Sequence, residues 1–265
     1  MSNKIVIVPT YNEKENIELL IHKVMEVLPD THMLIVEDSS PDGTADIVRR
    51  LMDQNYSGRL HMEERQGKLG LGTAYVHGFK WALERGYDYI FEMDADFSHN
   101  PKALPSLLRP CEEEGFDMTI GSRYVNGVNV VNWPMGRVLM SYYASAYVRF
   151  ITGMTIRDAT AGFKCYTRPV LETILAEPVK FVGYAFQIEM KFRTWKYGFK
   201  IKEVPIIFRD RTQGESKMSS KIFKEAVFGV ISMKISSWFR KWNRPEGLPA
   251  STEKTQSLDP SLDQG

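Results

Sequence analysis

Short runs of aliphatic and β-branched residues recur through the first 120 residues, each followed by a stretch of helical periodicity. The runs are Lys4–Pro9 (KIVIVP), Met33–Glu37 (MLIVE), the weaker Leu60–Glu63, Tyr89–Met93 (YIFEM) and Met118–Ile120. The strongest of them do not alternate apolar with polar residues, as expected of strands covered on both faces. Between them, Ile17, Leu20, Ile21, Val24 and Leu28 form one helical stripe, and Ile47, Val48 and Leu51 another. A third helix is predicted over Thr73–Arg85. Asn12 with Glu15 reads as a capping box, Thr44 as the cap of the second helix, and Asn100-Pro101 as a further helix start. Strand–helix–strand succession of this kind predicts right-handed crossovers and an α/β fold with a mainly parallel sheet flanked by helices. The second half is less regular. Helices are predicted at Gly136–Ile151, Phe186–Tyr197 and Ser220–Trp242, a strand at Phe163–Thr167, and a strand pair or one bent strand over Lys200–Phe208. Pro245–Gly265 has no aromatic residue and few aliphatics, which predicts a disordered tail.

Charge and cysteine content exclude several classes. Thirty-four Lys and Arg against 33 Asp and Glu leave a net charge of +1, so nothing in the bulk charge points to nucleic acid. Two cysteines, Cys111 and Cys165, make no disulfide framework and no zinc cluster, which fits a reducing cytosol. The amino terminus runs straight into a strand without the features of a signal peptide. No uncharged apolar run approaches the roughly 20 residues that a membrane span requires.

In open α/β sheets, ligands bind beyond the carboxyl ends of the strands. The residues there are Pro9-Thr10-Tyr11-Asn12-Glu13 after the first strand, Asp38-Ser39-Ser40-Pro41-Asp42-Gly43 after the second, and Asp94-Ala95-Asp96-Phe97-Ser98-His99 after the fourth. Glu13, Asp38, Asp94 and Asp96 would then converge on one edge, where they need a positive partner. Asp94 and Asp96 are two apart and suit Mg²⁺ or Mn²⁺, with substrate phosphates as further ligands. Basic groups form a second set. Lys68 lies in the glycine-rich segment Gly67–Gly72, whose backbone could approach a phosphate, Arg123 follows a strand, and Arg137 and Ser141 share a helix face. Arg209, Arg211 and Lys217 belong to a polar loop suited to folding over an anion. No HExxH, GxSxG or Walker-type motif is present, and neither cysteine has an adjacent histidine.

Pro9-Thr10-Tyr11-Asn12-Glu13, Glu37–Thr44, Asp94-Ala95-Asp96, Gly121-Ser122-Arg123-Tyr124 and Asp158–Phe163 occur in the order found in family 2 glycosyltransferases, and the chain resembles the polyprenol-phosphate (dolichol-phosphate) mannose synthases within it. The resemblance runs from about Lys4 to Lys217. It implies a GT-A (Rossmann-like) domain over residues 1–219, a GDP-mannose donor, a polyprenyl phosphate acceptor and an inverting, metal-dependent transfer. By the same resemblance Pro9, Tyr11, Glu13 and Asp38 hold the nucleoside, with Glu37 where an Asp is usual. Asp94, Ala95 and Asp96 hold metal and diphosphate, and Gln187 falls near a donor-contacting position. Arg123, Arg137 and Ser141 resemble an acceptor-phosphate site, while Arg211 and Lys217 resemble a loop closing on donor phosphates. Ser98 stands where some relatives offer Gln. The donor stays open at this point: UDP-glucose or another nucleotide sugar, with a lipid phosphate or polysaccharide acceptor, is the alternative. A nucleotidyltransferase is disfavoured, because Pro9–Glu13 lacks glycines for a triphosphate loop.

The expected acceptor is a lipid, and the sequence offers a way to reach it. Phe223, Val227, Val230, Ile231, Ile235, Trp238, Phe239 and Trp242 would lie on one stripe of the helix within residues 220–244. Eleven Lys and Arg against four Asp and Glu over Lys200–Arg244 make this segment basic. Such a helix either lies in the interface of an anionic membrane or packs on the domain. The first reading places the protein on the cytoplasmic face of a membrane, with a separate membrane-anchoring protein as a further candidate partner.

Overall fold

The computed structural model describes residues 3–209 and 220–244, so Arg211, Lys217 and the tail from residue 245 lie outside the described residues. A seven-stranded sheet has the order β3-β2-β1-β4-β7-β5-β8. Its strands are β1 (Lys4–Thr10), β2 (Thr31–Glu37), β3 (Leu60–Glu64), β4 (Tyr89–Glu92), β5 (Met118–Ser122), β7 (Lys164–Thr167) and β8 (Ile201–Pro205). Two short strands, β6 (Val130–Val131) and β9 (Phe208–Arg209), pair separately. All pairings in the large sheet are parallel except those of β7, which runs antiparallel between β4 and β5.

The KIVIVP run explains the layering. Ile5 and Ile7 point to one face of the sheet, where they join Leu34, Phe79, Tyr166 and Phe186; Val6 and Val8 point to the other, with Leu20, Met33, Phe91 and Leu104. The first face is covered by α3 (Leu71–Glu84), α6 (Arg168–Ile174) and α7 (Tyr184–Lys196), the second by α1 (Ile17–Val27), α2 (Thr44–Gln54) and α4 (Leu104–Glu113). Burial on both faces is why these strands read as unbroken apolar runs. From β1 the chain moves outward to β2 and β3 on one side and then returns to β4 on the other. The β1/β4 boundary is thus the point where strand order reverses, the usual position of a ligand crevice.

Two sequence expectations about helix starts are corrected. Asn12 does not cap α1, which begins five residues later at Ile17; Asn12 has φ 60° and sits in a turn. Thr44 is inside α2, and Gly43 with φ 90° precedes it. Asn100 does cap a helical turn, accepting the Lys102 N–H at 3.1 Å. The helix α5 spans Met135–Thr152, and α8 spans Ser220–Trp238, ending four residues before Trp242. Trp242 instead folds back against Tyr197 and Phe192.

Away from the crevice, His32 and His61 lie 3.4 Å apart between Tyr87 and Trp81. Burial lowers the pKa of both, helped at His32 by Arg59 and at His61 by His32 and Arg85. The folded protein therefore holds fewer protons than the unfolded chain near pH 6.5, and stability falls as pH drops below that value. The expected result is a lower Tm at pH 5.5 than at pH 7.5, with a flatter dependence in His61→Gln. An identical pH slope in the variant would contradict this.

Candidate functional site

The loops after β1 and β2 are laced together by side chains accepting from backbone. The Asn12 N–H donates to Ser40 Oγ at 2.9 Å, the Glu13 N–H to Thr44 Oγ1 at 3.1 Å and the Lys14 N–H to Asp42 Oδ2 at 3.0 Å. Burial raises the Asp42 carboxyl, but hydrogen bonds from Thr44 and Lys14 outweigh it and leave the pKa below its ordinary value. Glu37 is fully buried and takes part in the same frame. Its carboxylate accepts from Thr10 Oγ1 and from the Ser40 N–H, both at 2.5 Å. Glu37 thus braces the loop from below. The turn strain is concentrated here: Asn12, Ser39 and Phe97, three of the four non-glycine residues with positive φ among those described, follow β1, β2 and β4.

The positive partner that the acidic edge requires is Arg65, just after β3. Its Nε and Nη2 donate to the two Asp38 oxygens at 2.7 and 2.8 Å, and its Nη1 to Thr73 Oγ1 at 2.9 Å. Asp38 is thereby fixed at the crevice edge as half of a nearly buried, bidentate pair. Lys68 lies with Nζ 4.7 Å from the Tyr11 ring centroid, which brings two candidate donor contacts together. The glycines around Lys68 serve turns and close packing. The Gly72 N–H bonds Val182 O at 2.9 Å, and a Cβ there would meet the Phe186 ring at 2.8 Å. Pro9 ends the β1 core run beside these loops, and Ala95 is buried between the two aspartates.

Asp94 and Asp96 leave β4 on one short loop. Tyr75, fully buried and stacked between Phe79 and Phe186, donates its hydroxyl to Asp94 Oδ1 at 2.9 Å. Burial, then the neighbouring Asp94 charge, pushes the Tyr75 phenol well up, so it stays a donor. Asp96 Oδ1 accepts the Ser98 N–H at 3.1 Å. His99 Nδ1 accepts the Asp94 N–H at 3.2 Å. The His99 ring is 2 % exposed and stacks on Phe163, so His99 shapes the pocket. Gly162 passes close enough that a Cβ would stand 3.7 Å from Asp94 Oδ2 and 3.4 Å from His99. No group of three or more His, Cys, Asp or Glu able to hold a metal occurs among the described residues. Two partly exposed carboxylates on one loop nonetheless fit a hard divalent ion that completes its shell with water and phosphate oxygens.

A buried polar layer lies under this loop. Lys164 pairs with Glu92 at 2.9 Å, Tyr166 donates to Glu92 at 3.2 Å, and the Gln187 amide bridges Glu92 and Lys164. Gln187 is therefore a strut, its amide oxygen and nitrogen both engaged. Lys191 donates to the carbonyls of Ala159, Ala161 and Gln187 at 3.1, 2.5 and 3.2 Å, holding the Asp158–Gly162 segment in place.

Arg123 is anchored by a buried carboxylate. Its Nε and Nη2 bond Asp158 at 2.8 and 2.6 Å, Nη2 also bonds Thr160, and its backbone N–H bonds Asp158 as well. The rings of Tyr124, Trp133 and Phe208 surround the guanidinium at 5.2, 5.6 and 5.4 Å. Arg137, on α5, lies 4.2 Å from the Trp133 ring centroid, and Ser141 is one turn further along the helix. The structure thus gathers Arg123, Arg137 and Ser141 around Tyr124 and Trp133. Arg65, Tyr75 and Asp158 are additions to the sequence-derived set, and Arg65 obeys the same strand-end rule that located the others.

Known proteins resemble this chain in sequence and in fold. The family model described as Glycosyl transferase family 2 matches residues 5–175. A polyprenol monophosphomannose synthase of Mycolicibacterium smegmatis is 46 % identical over 226 residues, covering 85 % of this chain and 84 % of the relative. An undecaprenyl-phosphate mannosyltransferase of Micrococcus luteus is 42 % identical over 246 residues, covering 93 % and 97 %. Among solved structures, a mannosyltransferase from Pyrobaculum calidifontis in complex with GDP-Man and Mn²⁺ has the same fold, with a TM-score of 0.58 at 17 % identity over 92 % of this chain and 66 % of that one. Glucosyl-3-phosphoglycerate synthase of Mycobacterium tuberculosis, in complex with Mn²⁺ and UDP-glucose, gives 0.62 at 17 % identity over 89 % and 78 %.

Proposed function

The chain belongs to glycosyl transferase family 2, as a hexosyltransferase similar to polyprenol-phosphate mannose synthases, and we propose that it moves mannose from GDP-mannose to a polyprenyl phosphate. The observation that carries this reading is the pairing of two half-sites at one sheet edge: Asp94 and Asp96 after β4, and the Arg123, Arg137 and Ser141 group after β5. Carboxylates suit a metal-bound diphosphate, and guanidinium with hydroxyl suits a phosphate acceptor.

An acceptor phosphate oxygen attacks the anomeric carbon, the bond from that carbon to the diphosphate oxygen breaks, and GDP departs with the electron pair. A single displacement inverts the centre and gives a β-linked mannosyl phosphodiester. The nucleophile is already an anion at neutral pH, so no general base is needed. His99 fits that economy, because its Nδ1 is held by the Asp94 amide. Asp94 and Asp96 would hold Mg²⁺ or Mn²⁺, which supplies positive charge for the leaving diphosphate when bound. Tyr75 and the Ser98 amide fix the angles of these two carboxylates. Asp38, oriented by Arg65, and Tyr11 with Lys68 offer the nucleoside side of the donor its contacts. Incubation with Mg²⁺, labelled GDP-mannose and a short polyprenyl phosphate should yield labelled lipid. Product from UDP-glucose but not from GDP-mannose would contradict the donor assignment.

The lipid acceptor is reached through exposed apolar groups. None of the described helices is long and apolar enough to cross a membrane. On α8, Val230 and Met233 pack into the core, whereas Phe228, Ile235, Trp238 and the following Phe239 are exposed. Leu139, Tyr143 and Phe150 are exposed on α5, which packs beside α8 through the Tyr147 hydroxyl and Val227 O. One side of the carboxyl-terminal helix is thus packed on the domain and the other is apolar and exposed. We place the protein peripherally on the cytoplasmic membrane face by this surface. Replacing Trp238 and Phe239 together by Glu should lower co-sedimentation with anionic vesicles at least about tenfold. Unchanged binding would contradict the membrane role.

A further inference from the structure

Tyr124 and Trp133 carry buried polar atoms that no described residue satisfies in full hydrogen-bond geometry. Tyr124 is only 4 % exposed; among the described residues the Trp133 Nε1 has no hydrogen-bond partner, and the Tyr124 hydroxyl has none in full hydrogen-bond geometry, with the Ser141 hydroxyl standing beside it as a weak one. Buried donors are almost always satisfied, and two orphans in one cluster call for a ligand. Their neighbours say which kind. Trp133 lies against both guanidiniums, at 4.2 Å from Arg137 and 5.6 Å from Arg123, and Tyr124 lies 5.2 Å from Arg123 with Ser141 alongside. Burial raises the Tyr124 phenol, with Arg123 and Ser141 opposing, so the hydroxyl remains a donor at neutral pH. Arg123 already bonds Asp158 and Thr160, and an incoming anion needs further donors beside it. Trp133 also meets Phe208 edge-on, and Phe208 meets His99, so the cluster adjoins the loop bearing Asp94 and Asp96.

We propose that the Tyr124 hydroxyl and the Trp133 indole N–H are hydrogen-bond donors to the acceptor phosphate, completing with Arg137 and Ser141 the cradle that aims it at the sugar. This rests on the reading of the acceptor as a polyprenyl phosphate. Tyr124→Phe removes one oxygen and keeps the ring. With full-length protein, Mg²⁺, GDP-mannose and farnesyl phosphate, the KM for farnesyl phosphate should rise about tenfold, as for a lost hydrogen bond to a charged group, while the KM for GDP-mannose holds within about twofold. Trp133→Phe should shift the same constant in the same direction. The Tm of Tyr124→Phe should equal or exceed that of the wild type, because an unsatisfied hydroxyl is removed. An unchanged acceptor KM, or a fall in Tm with both KM values rising together, would overturn the assignment. If the wild type transfers nothing to farnesyl phosphate, the acceptor reading itself fails. Titration of inorganic phosphate into the donor-free protein then tests the cradle alone, weaker binding by Tyr124→Phe supporting it and equal binding overturning it.

Discussion

Asp96→Ala is expected to lower mannosyl transfer at least about 10³-fold while leaving the fold in place. Asp96 sits on a partly exposed loop, and its Oδ1 accepts the Ser98 N–H. Loss of that bond costs on the order of 1 kcal/mol of stability, a small fraction of a domain's total. The charge it would bring to a bound divalent ion bears instead on several kcal/mol of transition-state stabilisation, and each 1.36 kcal/mol is a factor of ten in rate. Asp96→Asn separates the two effects, since its amide oxygen still accepts from Ser98 but carries no charge. Both variants should therefore melt near the wild type and both should be inactive. Steady-state transfer with a thermal melt of each checks this, and near-normal turnover in either would remove the metal role of Asp96.

Asp158→Asn is expected to damage fold and activity together. Asp158 is fully buried, and three groups of Arg123 donate to it. Burial raises its carboxyl, and the Arg123 charge and hydrogen bonds more than compensate, holding the pKa below its ordinary value. Its contribution is thus present at neutral pH and lost only as pH falls through the acidic range below its unfolded value. Removing one partner of a buried pair leaves the other charge uncompensated, at roughly 3–5 kcal/mol. For a chain of this size that corresponds to a Tm lower by about 10 °C. The double variant Asp158→Leu, Arg123→Met should recover much of that stability and none of the transfer, because an apolar pair replaces the ions while the acceptor side loses its anchor. Thermal melts of the single and double variants test the coupling. Equal Tm values for Asp158→Asn and wild type would contradict it.

The parts of this protein that were legible in its sequence are those governed by local rules. KIVIVP, MLIVE and YIFEM announce strands because both their faces are buried, and the strand-end rule then places Tyr11, Asp38, Asp94 and Asp96 at the crevice. Arg65 was legible by the same rule but follows the weakest strand. The direction of β7 was not, since the Phe163–Thr167 pattern is the same for a parallel or an antiparallel neighbour. Asn12 and Thr44 misled as caps because their loops bond each other across about thirty residues, and long-range partners leave no local signature. The same reason hid the engagement of Arg123 by Asp158, 35 residues away, and that of Gln187 by Glu92 and Lys164. The apolar stripe of α8 was visible, but which residues face the core depends on how the helix docks on Phe181, where Gly229 permits close approach.

The most direct test of the account is anomalous diffraction from crystals grown with Mn²⁺ and GDP. The expected result is a manganese peak about 2.1 Å from a carboxylate oxygen of both Asp94 and Asp96, and at similar distance from a diphosphate oxygen. Bound GDP with no manganese between those carboxylates and the diphosphate would contradict the account.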